Sequence, residues 1–387
     1  MKQFANPVLD TQQANAALDT ACAIIKQNLS TYTDKCQDHS CTNGIYKAID
    51  NVEWTTGFWP GEVWLAWEHT GDDAFKDAAL HMVDSFKERI EKKIAVDHHD
   101  MGFLYSPSCV AAYKLTGCEK AKEAALEAAD HLVSRFQEKG QFIQAWGAFG
   151  AKENYRYIID CLLNLPLLYW ASEVTGDEKY NDIAHRHITT CLKYSIREDG
   201  STYHTFFMDP ETGAPSHGAT CQGYKDDSCW ARGQAWGVYG TAISYRYTKN
   251  PEYIEKFRTV LEYYLTRLPE DMVPYWDMIF IDGNEEPRDS SSAAIVACGL
   301  LEMAKYVDET EAAEYRKLAA QMLKSLADIY AVKSGPVGCG LVEHGTYAKK
   351  TPYNTCGEAG VDECVSWGDY FYMEALTRFV KDWELYW

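Results

Sequence analysis

GFWPGEVWLAWEHTG at residues 57–71, followed at once by DAFKDAALHMVDSFKERIEKK at residues 73–93, is the stretch that decides the fold. The second segment sets Phe75, Ala79, Met82, Val83 and Phe86 at three- and four-residue spacing, with charge on the opposite face. That is the period of a helix lying half-exposed on a core. The first segment is poor in charge and apolar almost all round, as a helix buried on every side must be. Thr70-Gly71 closes it. Glycine after the last turn takes a left-handed cap without steric cost, and the polar residues beyond it can cap the next helix.

Outward from this pair the same two kinds of helix alternate. Amphipathic patterns recur at 119–138, 178–193, 251–267 and 310–330, and residues 9–28 supply one ahead of the first buried helix. Between them lie charge-poor stretches at 106–117 (SPSCVAAYKLTG), 155–176 (YRYIIDCLLNLPLLYWASEVTG), 231–250, 290–309 and 367–380 (WGDYFYMEALTRFV). Thr116-Gly117 and Thr175-Gly176 repeat the closing turn, while Thr248-Lys249-Asn250 and Asp308-Glu309 keep it without the glycine. Hairpins that cannot bury their inner faces alone must stack or close on themselves. Six pairs predict an all-α protein, an (α/α)6 barrel of six inner and six outer helices in a single domain over 1–387; an open solenoid is the alternative. The segments ahead of the inner helices (29–55, 94–106, 139–154, 194–231, 268–288, 331–366) would gather at one mouth, and loops this long are usually functional.

Bulk composition narrows the partners. The 387 residues are 46% hydrophobic, enough for a large core without disulfides or metal. A formal charge of −20 repels nucleic acid and anionic membrane, so neither is an expected partner. The 13 cysteines form no CxxC pair, and the first residues lack the apolar core of a signal peptide. Free thiols without an export signal predict the cytoplasm. No zinc-like spacing, Gly-rich phosphate loop, GxSxG or HExxH occurs, so neither cofactor nor metal is expected.

The mouth segments hold the unusual residues: VEWTTGFWPGE, VDHHDMGFLYSPS, QAWGAF, NYRYIIDCLLN, STYHTF and ATCQGYKDDSCWARGQAWG. Tryptophan faces with amides and a guanidinium fork are what grips a sugar. Asp160, between Ile159 and Leu162 at the start of a buried helix, is a desolvated acid able to hold a proton near neutral pH. Its plain alternative is an acid that caps the helix or pairs with Arg156 on the same face. Asp100 follows His98 and His99, and its plain alternative is a helix N-cap. Adjacent side chains diverge and no third ligand follows, so this run is not read as a metal site. Arg232, among Trp230, Gln234 and Trp236, is a candidate anchor for a substrate carboxylate, or else the partner of Asp226 or Asp227.

WTTGFWPGE, DHHDMGFLYSPS, IIDCLLNLPLLYWAS, CWARGQAWGVYG and WGDYFYMEALTRF together resemble the unsaturated glucuronyl hydrolases, glycoside hydrolase family 88, over most of the chain and in the same order. The resemblance implies an (α/α)6 barrel. It also implies a cofactor-free enzyme that removes the C4=C5 unsaturated uronic acid left by polysaccharide lyases at the non-reducing end of glycosaminoglycan-type oligosaccharides. The double bond is hydrated: an acid protonates C4 and water adds at C5. By matching, Asp160 is the general acid/base and Asp100 the second essential aspartate. Trp54, Phe58, His99, Trp146, His204, Gln222, Arg232 and Trp236 line the subsite. Members that favour sulfated fragments carry an Arg before the glutamine and a Ser/Lys stretch near the C-terminal loop. Here those places hold Cys221 and Asn354–Ala359 (NTCGEA), which predicts a preference for unsulfated substrate. The rival readings are an unsaturated rhamnogalacturonyl hydrolase, a sugar epimerase using His99 and His204, and a non-catalytic carbohydrate-binding barrel.

Overall fold

In the computed structural model, which describes residues 2–387, the first alternation runs through α1 (Thr11–Tyr32), α2 (Phe58–Thr70) and α3 (Asp73–Glu91). It continues with α4 (Met101–Tyr105), α5 (Ala111–Thr116), α6 (Glu119–Ser134), α7 (Leu165–Thr175) and α8 (Lys179–Tyr194). The remainder are α9 (Ala231–Thr248), α10 (Glu252–Arg267), α11 (Ser290–Met303), α12 (Glu309–Ser325) and α13 (Ser366–Val380). The chain is mostly helical, and burial separates the two kinds. Every residue of α11 is buried, whereas α3 buries only one stripe, including Phe75, Ala79, Met82, Val83 and Phe86. Charge-poor helices touch one another in succession: α2 meets the α4–α5 segment, which meets α7, then α9, α11 and α13, and α13 packs back on α2. Amphipathic α1, α3, α6, α8, α10 and α12 each pack against them.

The closing turns are built as their sequence implies. Gly71, Gly117 and Gly176 stand at φ 70°, 71° and 71°, and Lys249 takes the same left-handed position at φ 55°. The threonine before each has a reason too. The hydroxyls of Thr70, Thr116, Thr175 and Thr248 donate to the carbonyl four residues back. Three of them also accept the amide two residues on, from Asp72, Asp177 and Asn250. Asp72 and Asp308 then cap α3 and α12 through their side chains.

Three local expectations fail for physical reasons. The helix expected to start at Ser106 starts at Met101, and Ser106–Val110 between α4 and α5 is a π turn. Pro107 has no N–H to donate, and the hydroxyl of Ser108 takes up the carbonyl of Leu104. The helix expected from Tyr155 begins only at Leu165, with Pro166 in its first turn. Ahead of it Arg156–Ile158 is a strand paired with Thr205–Met208, and Ile159–Leu163 is a 3₁₀ turn. The expected loops also carry small antiparallel sheets, among them Cys36–Thr42 with Ile45–Ile49 and Gly345–Ala348 with Ala359–Glu363. No helix among the described residues is long and apolar enough to cross a membrane.

Candidate active site

The strand Arg156–Ile158 delivers Asp160, and its partner delivers His204: the amide of Ile159 donates to the carbonyl of His204 at 3.1 Å. Asp100 comes from a different direction, at the residue ahead of α4. Asn164 ties the two together, accepting from the amide of Phe103 through Oδ1 at 2.9 Å and donating Nδ2 to the carbonyl of Asp160 at 3.3 Å. Gly102 makes this approach possible. A Cβ there would stand 2.4 Å from Cα of Asn164.

These segments meet around a cavity of about 350 Å³ lined by Trp54, His98, His99, Asp100, Trp146, Asp160, His204, Gln222 and Tyr347, among others. A larger hollow of about 560 Å³ lies between the chain around Asn51 and α3. Its carboxylates are already engaged: Asp34 with His81, Asp50 with Lys35, Asp84 with Lys120 and Glu88 with Lys92. Chemistry, not size, selects the smaller cavity.

Burial pushes the carboxyl of Asp160 up to about 7; the charge of Asp100 adds to the rise and Arg232 opposes it. Asp160 is partly open to the cavity, yet its Oδ1 is buried without a hydrogen-bond partner. Asp100 goes the other way. Burial raises it, but His99 (Nε2 to Oδ1 3.3 Å) and His98 (Nδ1 to Oδ2 3.0 Å) outweigh that and hold it below the usual carboxylate range. One site thus contains an acid that keeps its proton beside an acid that loses it, the division of labour that acid/base chemistry requires. Asp369 is likewise pushed to about 7 and Glu62 well up, both by burial, but neither lines the cavity. Asp369 is spent on the hydroxyl of Tyr46 and the amide of Val342.

The neutral groups are fixed in orientation as well. Nδ1 of His204 accepts from the amides of Cys221 and Gln222 at 3.0 and 3.1 Å, which leaves Nε2 to carry the proton. Burial, then Arg232, lowers this histidine well below its ordinary value, so it stays a neutral donor. Burial also lowers His99, to about 4. Arg232 donates to Oε1 of Gln222 at 2.9 Å, so the glutamine offers its NH₂. Trp54 donates to the hydroxyl of Tyr347 at 3.1 Å and stacks on Trp367. Trp146 stacks on the guanidinium of Arg156.

Of the residues singled out from sequence, Asp160, Asp100, Trp54, His99, Trp146, His204 and Gln222 come together on this cavity. Phe58, Arg232 and Trp236 do not line it; all three are fully buried behind it. Arg232 spends four of its five N–H groups on Asp289 (2.9 Å), Gln222 and the carbonyls of Thr346 and Tyr347. It is sandwiched between Trp230 and Trp367. Its carboxylate partner is therefore Asp289, not Asp226 or Asp227, and it reaches the cavity through Gln222. The plain alternatives for the aspartates fall too. Arg156 lies in a strand and stacks on Trp146 and Phe207 instead of pairing with Asp160. Asp100 occupies the N-cap position of α4 but makes no capping bond. Sequence reasoning missed His98 and Tyr347. His98 was passed over because neighbouring side chains usually diverge, and Tyr347 sits in a segment with no motif beyond its place at the mouth. Among the described residues no group of three or more His, Cys, Asp or Glu could hold a metal.

Residues 24–373 match Glycosyl Hydrolase Family 88. The chain is 48% identical over 383 residues to the unsaturated chondroitin disaccharide hydrolase of Streptococcus pneumoniae, covering 98% of this chain and 95% of that protein. The crystal structure of unsaturated glucuronyl hydrolase from Streptococcus agalactiae superposes with a TM-score of 0.94 at 46% identity, over 100% of this chain and 98% of that one. A mutant of the same enzyme complexed with dGlcA-GalNAc6S superposes with a TM-score of 0.87 at 43% identity, over 99% and 95% of the two chains.

Proposed function

The chain belongs to Glycosyl Hydrolase Family 88, and on that footing we propose how its cavity works. It is a glycoside hydrolase that releases the C4=C5 unsaturated uronic acid from the non-reducing end of lyase-generated oligosaccharides, including those of glycosaminoglycans. Asp160 donates its proton to C4 of the vinyl ether, and the ring oxygen shares the positive charge that develops at C5. Water adds at C5 and returns a proton to Asp160, now a carboxylate. The C5 hemiketal opens its bond to the ring oxygen, and the resulting C1 hemiacetal expels the remaining sugar. One water is consumed and the acid is regenerated.

The observation that carries this reading is the contrast between the two aspartates: Asp160 raised to about 7 beside an Asp100 held ionised. Asp100 stabilises the charge that grows at C5, while Nε2–H of His204 and the NH₂ of Gln222 address the sugar's oxygens. Trp54 and Trp146 supply faces for its C–H surface. An epimerase using His99 and His204 is disfavoured, because Nε2 of His99 is committed to Asp100 and Nδ1 of His204 to two amides.

The succession of buried helices that returns to its start supports an (α/α)6 barrel of one domain, with the site at the mouth. Thirteen free cysteines, most of them buried, support a reducing, cytoplasmic setting. No cofactor is invoked. The test is turnover in D₂O. Loss of the ultraviolet absorbance of the unsaturated uronide should accompany one deuterium at C4 of the released product. A product that keeps its double bond, or carries no deuterium at C4, sinks the hydration mechanism.

A further inference from the structure

Of the chain's 12 Trp, 26 Tyr and 14 Phe, only Phe149 and Tyr353 are exposed among the described residues. Both lie in mouth segments, Phe149 three residues after Trp146 and Tyr353 six after Tyr347, and those two earlier residues line the cavity. Tyr353 is 60% exposed, yet it is set on other rings. Its centroid lies 5.6 Å from that of the half-buried Tyr224, edge-on. Tyr224 in turn lies 5.3 Å from Phe280, which packs on the buried Trp276. The backbone beneath is pinned. Nδ2 of Asn354 donates to the carbonyls of Gly223 and Lys349, the hydroxyl of Thr351 to the carbonyl of Tyr224, and the amide of Cys356 to the carbonyl of Cys221. Ile279 and Ile281, on either side of Phe280 in the chain, are exposed as well. An exposed apolar ledge on an ordered loop is the mark of a binding surface.

The position of the ledge names its ligand. Gln222 and Tyr347 line the cavity, and the chain runs from each of them to the ledge. Tyr224 stands two residues beyond Gln222, so the two Cα atoms are within about 7 Å of each other. With the unsaturated uronic acid in the cavity, the rest of the oligosaccharide leaves through the mouth and crosses this rim. Tyrosine offers such a chain a flat apolar face for its C–H surface and a hydroxyl for its oxygens. Charge is not what the ledge presents, since Lys225 pairs with Asp227, Lys349 with Glu286, and Lys350 donates to the carbonyl of Asn354. We propose that Tyr353, backed by Tyr224 and Phe280, is a second sugar-binding site: a stacking platform for a ring beyond the one bonded to the unsaturated uronic acid. Unsaturated tetrasaccharides therefore bind more tightly than disaccharides. The proposal rests on the reading of the cavity as the uronic acid's site.

The experiment measures kcat and KM for an unsulfated unsaturated disaccharide and the tetrasaccharide of the same repeat, with the wild type, Tyr353→Ala and Tyr353→Phe. Covering one face of an aromatic ring removes roughly 60 Å² of apolar surface from water, worth about tenfold in affinity. The wild type should therefore show a KM about tenfold lower for the tetrasaccharide, at similar kcat. Tyr353→Ala should raise the tetrasaccharide KM to that of the disaccharide and leave both disaccharide constants unchanged. Tyr353→Phe keeps the ring and should keep most of the tetrasaccharide's advantage. Equal KM values for the two substrates in the wild type overturn the proposal. So does a Tyr353→Ala variant that weakens both substrates alike, which would put the ring against the sugar next to the scissile bond, or one that weakens neither. Failure of the cavity reading looks different: the wild type then bleaches the ultraviolet absorbance of neither substrate.

Discussion

Asp160→Asn separates chemistry from folding, because the structure predicts opposite effects on the two. With the carboxyl pushed to about 7, roughly nine in ten molecules are protonated at pH 6, against under one in a hundred for an ordinary aspartate. Asparagine has nearly the same volume but no proton to give, and loss of a general acid/base costs about 10²–10⁴ in rate. Stability moves the other way. The folded state binds its proton more tightly than the unfolded chain, so stability falls as pH rises from the unfolded value, about 4, through the folded one, about 7. A shift of this size sets an upper limit of about 4 kcal/mol above pH 7; because Asp160 is partly open to the cavity, about 1–3 kcal/mol is the working figure. For a chain of this length that is a rise of roughly 1–4 °C in melting temperature for the variant at pH 8, vanishing near pH 4. Loss of the unsaturated disaccharide's absorbance reports turnover, and scanning fluorimetry at the two pH values reports stability. A variant that keeps more than about a tenth of wild-type activity, or that melts below the wild type at pH 8, would refute the assignment.

Other perturbations test the scaffold around it. Asn164→Ala removes the tie between Phe103 and Asp160 and should lower kcat by about 10–100-fold with KM nearly unchanged, since small misplacements of reacting groups are costly; an unchanged kcat would show that backbone packing alone sets the spacing. Asp289→Asn leaves the Arg232 charge buried without its partner and should cost about 3–5 kcal/mol in denaturant melts, with the melting curve itself as the check. Unsulfated disaccharide should be cleaved faster than 6-sulfated, by about 10–100-fold for one missing charged donor, and Cys221→Arg should narrow the gap. Of the cations around Cys221, Lys225 is engaged with Asp227, Lys349 with Glu286 and Lys350 with the carbonyl of Asn354, while Arg156 stacks on Trp146 and Phe207. A wild type that prefers the sulfated substrate in side-by-side kcat/KM overturns this.

What the sequence made legible was periodic. Alternating amphipathic and charge-poor segments located the helices because burial on one stripe or on all sides leaves different residue patterns. The Thr-Gly turns located the hairpins because both residues have local jobs, a back-bonded hydroxyl and a left-handed φ. The beginning of the segment around Asp160 was misread because Tyr155–Leu163 has the apolar content of a helix. What makes it a strand and a tight turn is its partner Thr205–Met208, some fifty residues away, and no local pattern encodes that pairing.

The same distinction explains the site. Asp160 was legible because an acid set in an apolar run must be desolvated wherever it folds, and desolvation is the largest cause of its shift. Arg232 was legible as important but not in its role, because its partner Asp289 lies fifty-seven residues on and belongs to another helix start. Composition flagged it as a cation among aromatics; only the fold shows that nearly all of its donors point into protein. His98 escaped for a subtler reason. Adjacent residues usually point apart, but the chain leaves Asp100 with φ −78° and ψ 27°, outside both strand and helix, which lets side chains two positions apart converge. Motifs reveal which groups chemistry needs. The backbone's departures from regular structure decide which of them meet: here a 3₁₀ turn carries Asp160, and Asp100 is the irregular residue ahead of α4.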